Sequence, residues 1–176
     1  YFKLIGSLHP GPRAKSVRHL PAPIAQLIRH LLDLDAGQLT DRDIIEHTLK
    51  HLAEWMRPTR RHVDHVTFPG ARNRVIPQPL GVVGVIVPWN FPLNLSLIPL
   101  TSIFAAGNRA MVKMSENSRH LARLLIERMP AYFPPEKLQF FDETGGVGIE
   151  FSKLPFDHLL FTGSGTTGRA VMAAAA

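Results

Sequence analysis

The sequence predicts an α/β protein: a parallel sheet with helices on both faces, preceded by helices and a small β-ribbon arm. Two observations carry this reading. From Leu80 onward, short apolar runs alternate with helix-period segments across short joins, the pattern of a parallel sheet covered on both faces by its crossover helices. Before Leu80 the apolar residues recur at helical spacing, and a turn-rich basic stretch at 58–79 separates the two textures. The chain therefore divides at 1–57, 58–79 and 80–176, with no internal repeat.

Residues 1–21, rich in Pro, Gly and basic side chains, read as a loose leader. In "PIAQLIRHLLDL" (23–34), Ile24, Leu27, Ile28, Leu31 and Leu32 share one helical face. "TDRDIIEHTLKHLAEWM" (40–56) repeats the pattern, with Thr40 or Asp41 placed to cap it and Pro58 to end it. "HVDHVTF" and "RVIPQP" flank the turn-rich "PGARN" and suggest a two-stranded ribbon too polar to be central. "LGVVGVIV" is a continuous β-branched run, expected as a strand buried on both faces. "LNLSLIPLTSIFAAGN" (93–108) reads as a buried helix kinked at Pro99 and ended at Gly107. "AMVKM" is a second strand and "SRHLARLLIERM" an amphipathic helix with Leu121, Leu124, Leu125 and Met129 inward. "LQFF" and "FDHLLF" supply the third and fourth strands, "GVGIEFSKL" a short helix and "TTGRAVMAAAA" the last one.

Composition bounds the function. Hydrophobic content of 45% with 19% charged residues is that of a folded domain rather than a disordered one. No run of eighteen apolar residues is present, so no spanning helix is expected. The opening "YFKLIGSLHPGPRAK" lacks the apolar core and cleavage site of a signal peptide. Cysteine is absent, which excludes disulfides and thiol chemistry within the chain; a cytoplasmic setting is the expectation. The net charge of +6 is concentrated before residue 80, above all at Arg57, Arg60, Arg61, Arg72 and Arg74. No aromatic stacking run accompanies these arginines, so a solvated face or a subunit contact is favoured over a nucleic-acid surface.

The stretch "GSGTTG" (163–168) matches G-x-G-x-x-G, the phosphate turn of Rossmann domains. In that fold the turn is the first strand-to-helix connection, and an acidic residue about 20 positions on binds the ribose. Here it is the fourth connection, and no such acid follows. A P-loop fails too, because Arg169 and Ala170 stand where Lys and Ser/Thr are required. Taken alone, the turn is better explained as a plain chain reversal.

Two further stretches change that balance. "VPWNFP" (87–92), "AAGNRAMVKMSENS" (105–118) and "LLFTGSGTTGR" (159–169) resemble, in the same order, hallmarks of the aldehyde dehydrogenase superfamily. The resemblance runs from about residue 44 to 176 and is nearest to the coniferyl aldehyde dehydrogenase-like branch beside the class-three enzymes. It implies a Rossmann-like NAD(P)-binding domain over 80–176, N-terminal helices packed on it, and an oligomerisation arm at 58–79 that forms a homodimer. It implies that Asn90 is catalytic, its side-chain amide stabilising an oxyanion on the attacked aldehyde carbonyl. It places Val87, Pro88 and Trp89 on the cofactor, and Lys113 with Glu116 on the adenosine ribose hydroxyls. Glu116 should repel a ribose phosphate, which favours NAD, with NADP possible. Gly163 would allow close backbone approach to the pyrophosphate, Ser164 would cap the last helix, and Gly168 would permit close helix–strand packing. Met114, where many relatives have Pro, and Thr167, commonly Val or Ile, depart from the pattern.

The family's chemistry needs a cysteine thiolate and a glutamate base, neither of which matches a residue here. The chain is therefore expected to be an N-terminal fragment, inactive alone, of an NAD(P)-dependent enzyme that oxidises an aromatic aldehyde such as coniferaldehyde. A non-catalytic nucleotide-binding or assembly module is the alternative. A basic nucleic-acid-binding domain comes third, and neither nucleic acid nor membrane is an expected partner. His47 and His51 stand i, i+4, but "HTLKH" lacks the Glu of the zinc motif, so no metal is expected.

Overall fold

The alternation that starts at Leu80 becomes four short parallel strands, and the most continuously apolar one takes an inner place. The structure is a computed structural model and describes residues 41–176. The leader at 1–21, the helix expected at 23–34 and the Thr40 cap lie outside the described residues. Helix α1 (Asp41–Trp55) is followed by β1 (Thr59–Arg61), β2 (Asn73–Val75), β3 (Val82–Ile86) and α2 (Asn94–Ala105). Then come β4 (Arg109–Lys113), α3 (Arg119–Arg128), β5 (Leu138–Phe141), α4 (Val147–Ser152), β6 (His158–Phe161) and α5 (Gly165–Ala174). The main sheet has the order β5-β4-β3-β6, all parallel and flanked by helices. Its chain order reverses at β3, whose neighbours are the next strand and the last one.

The core forms where strand and helix faces meet. Val83, Val85 and Val87 pack with Leu97, Leu100 and Ile103 of α2, Val112 of β4, Phe140 of β5, and Ala122 and Leu125 of α3. Leu124, expected inward, is instead 43% exposed. Ala122, Leu125 and Met129 already fill the inward stripe at i, i+3, i+7, and Leu124 falls one step off it. Helix α1 lies against α2 and buries Leu52 and Thr48, the hydroxyl donating to Ile44 O at 2.7 Å.

Helix α2 contains Pro99 and ends as expected. Gly107 takes φ +81°, its N–H donates to Phe104 O, and Asn108 N–H donates to Ile103 O, both at 3.0 Å. These two bonds make a Schellman stop, which needs a left-handed residue at this point. The chain then enters the sheet through Asn108, whose buried Oδ1 accepts from Leu80 N–H (2.6 Å) and Gly81 N–H (3.0 Å). Lys137 Nζ donates to Asn108 O at 2.7 Å and lies 4.7 Å from the Phe104 ring centroid. Burial, with the Arg109 charge beside it, holds the Lys137 ammonium below its ordinary pKa. Asp157 closes the same edge, its Oδ2 accepting from Val82 N–H at 2.7 Å.

The ribbon exists, but with different strands from those expected. It pairs Thr59–Arg61 with Asn73–Val75 antiparallel, so "HVDHVTF" lies in the connection rather than in a strand. Asp64 explains the shift: its carboxylate accepts from Val66 N–H at 2.9 Å and from the Thr67 hydroxyl at 2.5 Å. Such a local bond to the backbone two residues on forms a turn and competes with strand pairing. The two hydrogen bonds also hold the Asp64 carboxyl below its usual range. Arg60, Arg61, Arg72 and Arg74 line an open cleft on this ribbon.

Candidate active site at the carboxyl edge of the sheet

Because all four strands run the same way, their carboxyl ends share one edge. Ile86 is level with Lys113 and Phe161, and Lys113 with Phe141. Pairing continues just beyond: Val87 N–H donates to Lys113 O (3.0 Å), Met114 N–H to Phe141 O (2.8 Å) and Thr162 N–H to Ile86 O (3.1 Å). The loops at 87–93, 114–118, 142–146 and 162–164 are therefore anchored side by side where open α/β sheets bind ligands.

The loop after β3 buries Val87, half-buries Pro88 and exposes Trp89, Asn90 and Phe91. Trp89 is 63% exposed, so its ring is open to a ligand at this edge. Pro88 and Pro92 restrict the backbone on either side. Phe91 O accepts from Leu95 N–H at 3.0 Å, and buried Ser96 donates its hydroxyl to Pro92 O and Leu93 O, each at 2.8 Å. The Asn90 amide makes no hydrogen bond among the described residues, so it is not consumed by its own turn. An unengaged amide on a restrained loop can donate to an incoming carbonyl oxygen.

Lys113 and Glu116 leave the same strand, but the structure does not pair them. The Lys113 ammonium meets the Glu143 carboxylate from the loop after β5. Glu116 lies exposed in a 3-10 turn (Glu116–Ser118), where its Oε2 accepts from the Ser115 hydroxyl at 3.2 Å. Glu143 is the site residue that sequence reading missed. The available signal was an acid just past the end of a parallel strand, placed like Glu116. Burial alone pushes the Glu143 carboxyl up, but the bonds from Lys113 and from Gly148 N–H outweigh it and hold the group below its usual range.

At β6 the turn opens into α5. Ser164 has extended backbone and caps the helix: its Oγ accepts from Thr167 N–H at 3.2 Å and lies 2.8 Å from Thr167 Oγ1. The Thr167 hydroxyl thus joins the cap through the Ser164 hydroxyl, which gives a hydroxyl at this position a partner. Both flanking glycines face the Phe161 ring. A Cβ on Gly163 would come within 2.6 Å of it, and one on Gly168 within 3.2 Å. The first turn of α5 therefore presents backbone N–H groups and the positive end of a helix dipole at the exposed edge.

These features fit an extended anionic dinucleotide. An anion-binding helix start, a buried lysine with two carboxylates, and exposed aromatics on a rigid loop lie along one edge. His47 and His51 are elsewhere, on α1, their rings 4.2 Å apart and mutually tilted, with the His51 ring stacked on Trp55. No group of three metal-ligating side chains occurs among the described residues. No helix among them is long and apolar enough to cross a membrane.

Comparison with known proteins agrees with the α/β fold. Over 132 residues the chain is 51% identical to the probable coniferyl aldehyde dehydrogenase of Pseudomonas aeruginosa, covering 75% of this chain and 28% of that protein. It thus spans little more than a quarter of that relative's length. Substrate-bound AldH of Staphylococcus aureus superposes with a TM-score of 0.70 at 26% identity, covering 87% of this chain and 35% of that one. PnpE of Pseudomonas sp. WBC-3, solved in complex with nicotinamide adenine dinucleotide, gives 0.60 at 29% identity over 76% and 28% of the two chains. Residues 25–176 match the sequence pattern of the aldehyde dehydrogenase family, and the chain belongs to that family.

Proposed function

We propose that this chain is the cofactor-binding part of an NAD(P)-dependent aldehyde dehydrogenase that oxidises an aromatic, coniferaldehyde-like aldehyde to its acid. The observation that carries the proposal is the shared edge: the Asn90 loop, Lys113, Glu116 and the Ser164-capped start of α5 follow neighbouring parallel strands. In this reading the backbone N–H groups around Gly163 and Ser164 hold the pyrophosphate, and Gly168 lets α5 approach β6 closely. Lys113 and Glu116 meet the adenosine ribose, while Val87, Pro88 and Trp89 shape the cofactor's path along the β3 edge. When bound, the nicotinamide accepts the hydride released by the aldehyde carbon.

Asn90 acts on the substrate side. Attack of a thiolate on the aldehyde puts negative charge on the carbonyl oxygen, and the Asn90 side-chain N–H donates to it. The chain contains no cysteine, so the thiolate is not supplied by these 176 residues. The β1–β2 ribbon serves as the oligomerisation arm of a homodimer, with α1 packed on the cofactor domain at 80–176. The test is turnover by the full-length protein, followed through the absorbance of the reduced nicotinamide. Coniferaldehyde with NAD is expected to give coniferate and reduced cofactor in equal amounts. Binding of NAD without oxidation of any aldehyde would favour a non-catalytic module instead.

A further inference from the structure

The Lys113–Glu143 pair is not used by the chemistry above, and the fold makes room for it. Lys113 is only 8% exposed as it leaves β4. Its ammonium meets Glu143 Oε2, while Glu143 Oε1 accepts from Gly148 N–H at 3.2 Å, so the carboxylate is gripped from two elements. Gly148 supplies the space: a Cβ there would lie 2.7 Å from Glu143 Oε2 and 3.0 Å from Lys113 Nζ. At this edge one ammonium is therefore accompanied by two carboxylates, Glu143 on it and Glu116 three residues along.

We infer that Glu143 is a specificity-determining residue for the dinucleotide: by holding Lys113 it favours an unphosphorylated adenosine ribose over one carrying a 2′-phosphate. The inference rests on the reading of this edge as the dinucleotide site. A ribose diol needs a donor and an acceptor but no net positive charge. A 2′-phosphate needs an unengaged cation, and here the ammonium is already neutralised. It also meets a second carboxylate on Glu116, so like charges face it on two sides. Removing the Glu143 carboxylate leaves Lys113 free for the phosphate and removes one of the repelling charges.

Isothermal titration of the full-length protein with NAD and with NADP, without aldehyde, tests this. Glu143→Gln is expected to shift the ratio of the two dissociation constants towards NADP by about tenfold, the scale of one unit charge at a partly solvated site. Glu143→Thr is expected to shift it the same way, which covers the case in which one variant fails to fold. In a Lys113→Met background, Glu143→Gln is expected to change the ratio by less than about threefold, because the two residues act as a pair. An unchanged ratio in a folded single variant that still binds NAD overturns the role of Glu143 and leaves the dinucleotide site standing. Failure of the unsubstituted protein to bind either nucleotide overturns both.

Discussion

Asn90→Ala is expected to lower kcat of the full-length enzyme by about 10²–10³-fold while leaving NAD affinity within about twofold, the effect of removing one preorganised oxyanion donor. The size follows from where the residue sits. Its amide is exposed, free of protein hydrogen bonds among the described residues, and carried by a loop between Pro88 and Pro92. The buried Ser96 hydroxyl ties that loop to α2 through Pro92 O and Leu93 O. The donor rides on a restrained backbone and is drawn in as charge develops on the oxygen, so its loss falls on the transition state more than on binding. Stopped-flow measurement of turnover beside an NAD titration separates the two. Unchanged kcat would remove Asn90 from the chemistry, and equal losses in kcat and NAD affinity would make it a cofactor contact.

The second large effect lies at the opposite edge of the sheet. Gly81→Ala is expected to destabilise the fold by about 2–4 kcal/mol, combining a strained backbone with displacement of the Asp157 carboxylate from its hydrogen bond. Gly81 has φ +136°, and a Cβ there would lie 2.1 Å from Asp157 Oδ2. Moving that oxygen aside breaks the bond it accepts from Val82 N–H at 2.7 Å. Gly81 N–H is itself held by Asn108 Oδ1, so the backbone is fixed from both sides. Gly70 is the control: its φ is +77°, but nothing lies within 4 Å of an added Cβ. Gly70→Ala should show the backbone cost alone, about 1–2 kcal/mol. Urea unfolding of both variants checks the difference, and equal losses would show that the Asp157 contact yields freely.

Where local chemistry decided the structure, the sequence was a good guide. The valine run of β3, the Gly107 stop after α2 and the Ser164 cap of α5 are all set by a few adjacent residues. The misreadings have equally physical causes. The β-like pattern of "HVDHVTF" lost to the Asp64 turn, since one side chain satisfying nearby backbone and hydroxyl groups outweighs weak strand propensity in an exposed ribbon. Leu124 looked inward because three leucines fall within one turn, but a single stripe cannot bury them all.

The candidate site was legible in its parts and not in its wiring. Lys113 ends a strand that periodicity could locate, and Asn90, Glu116 and Ser164 each follow one. The partner of Lys113 could not be read in the same way. Glu116 is its sequence neighbour, whereas Glu143 reaches it only because β4 and β5 lie side by side. Strand order is a property of the whole sheet, so the pair becomes visible only once the sheet is assembled. Gly148 carries the same lesson: in the sequence it is one glycine among several, and in the fold it is the space beside the ion pair.

A crystal structure of the full-length protein with NAD tests the central claim most directly. The pyrophosphate is expected at the N–H groups that open α5 beside Ser164, with the adenosine ribose within hydrogen-bond distance of Glu116 and Lys113. Density for the dinucleotide away from the carboxyl ends of β3, β4 and β6 would contradict the account.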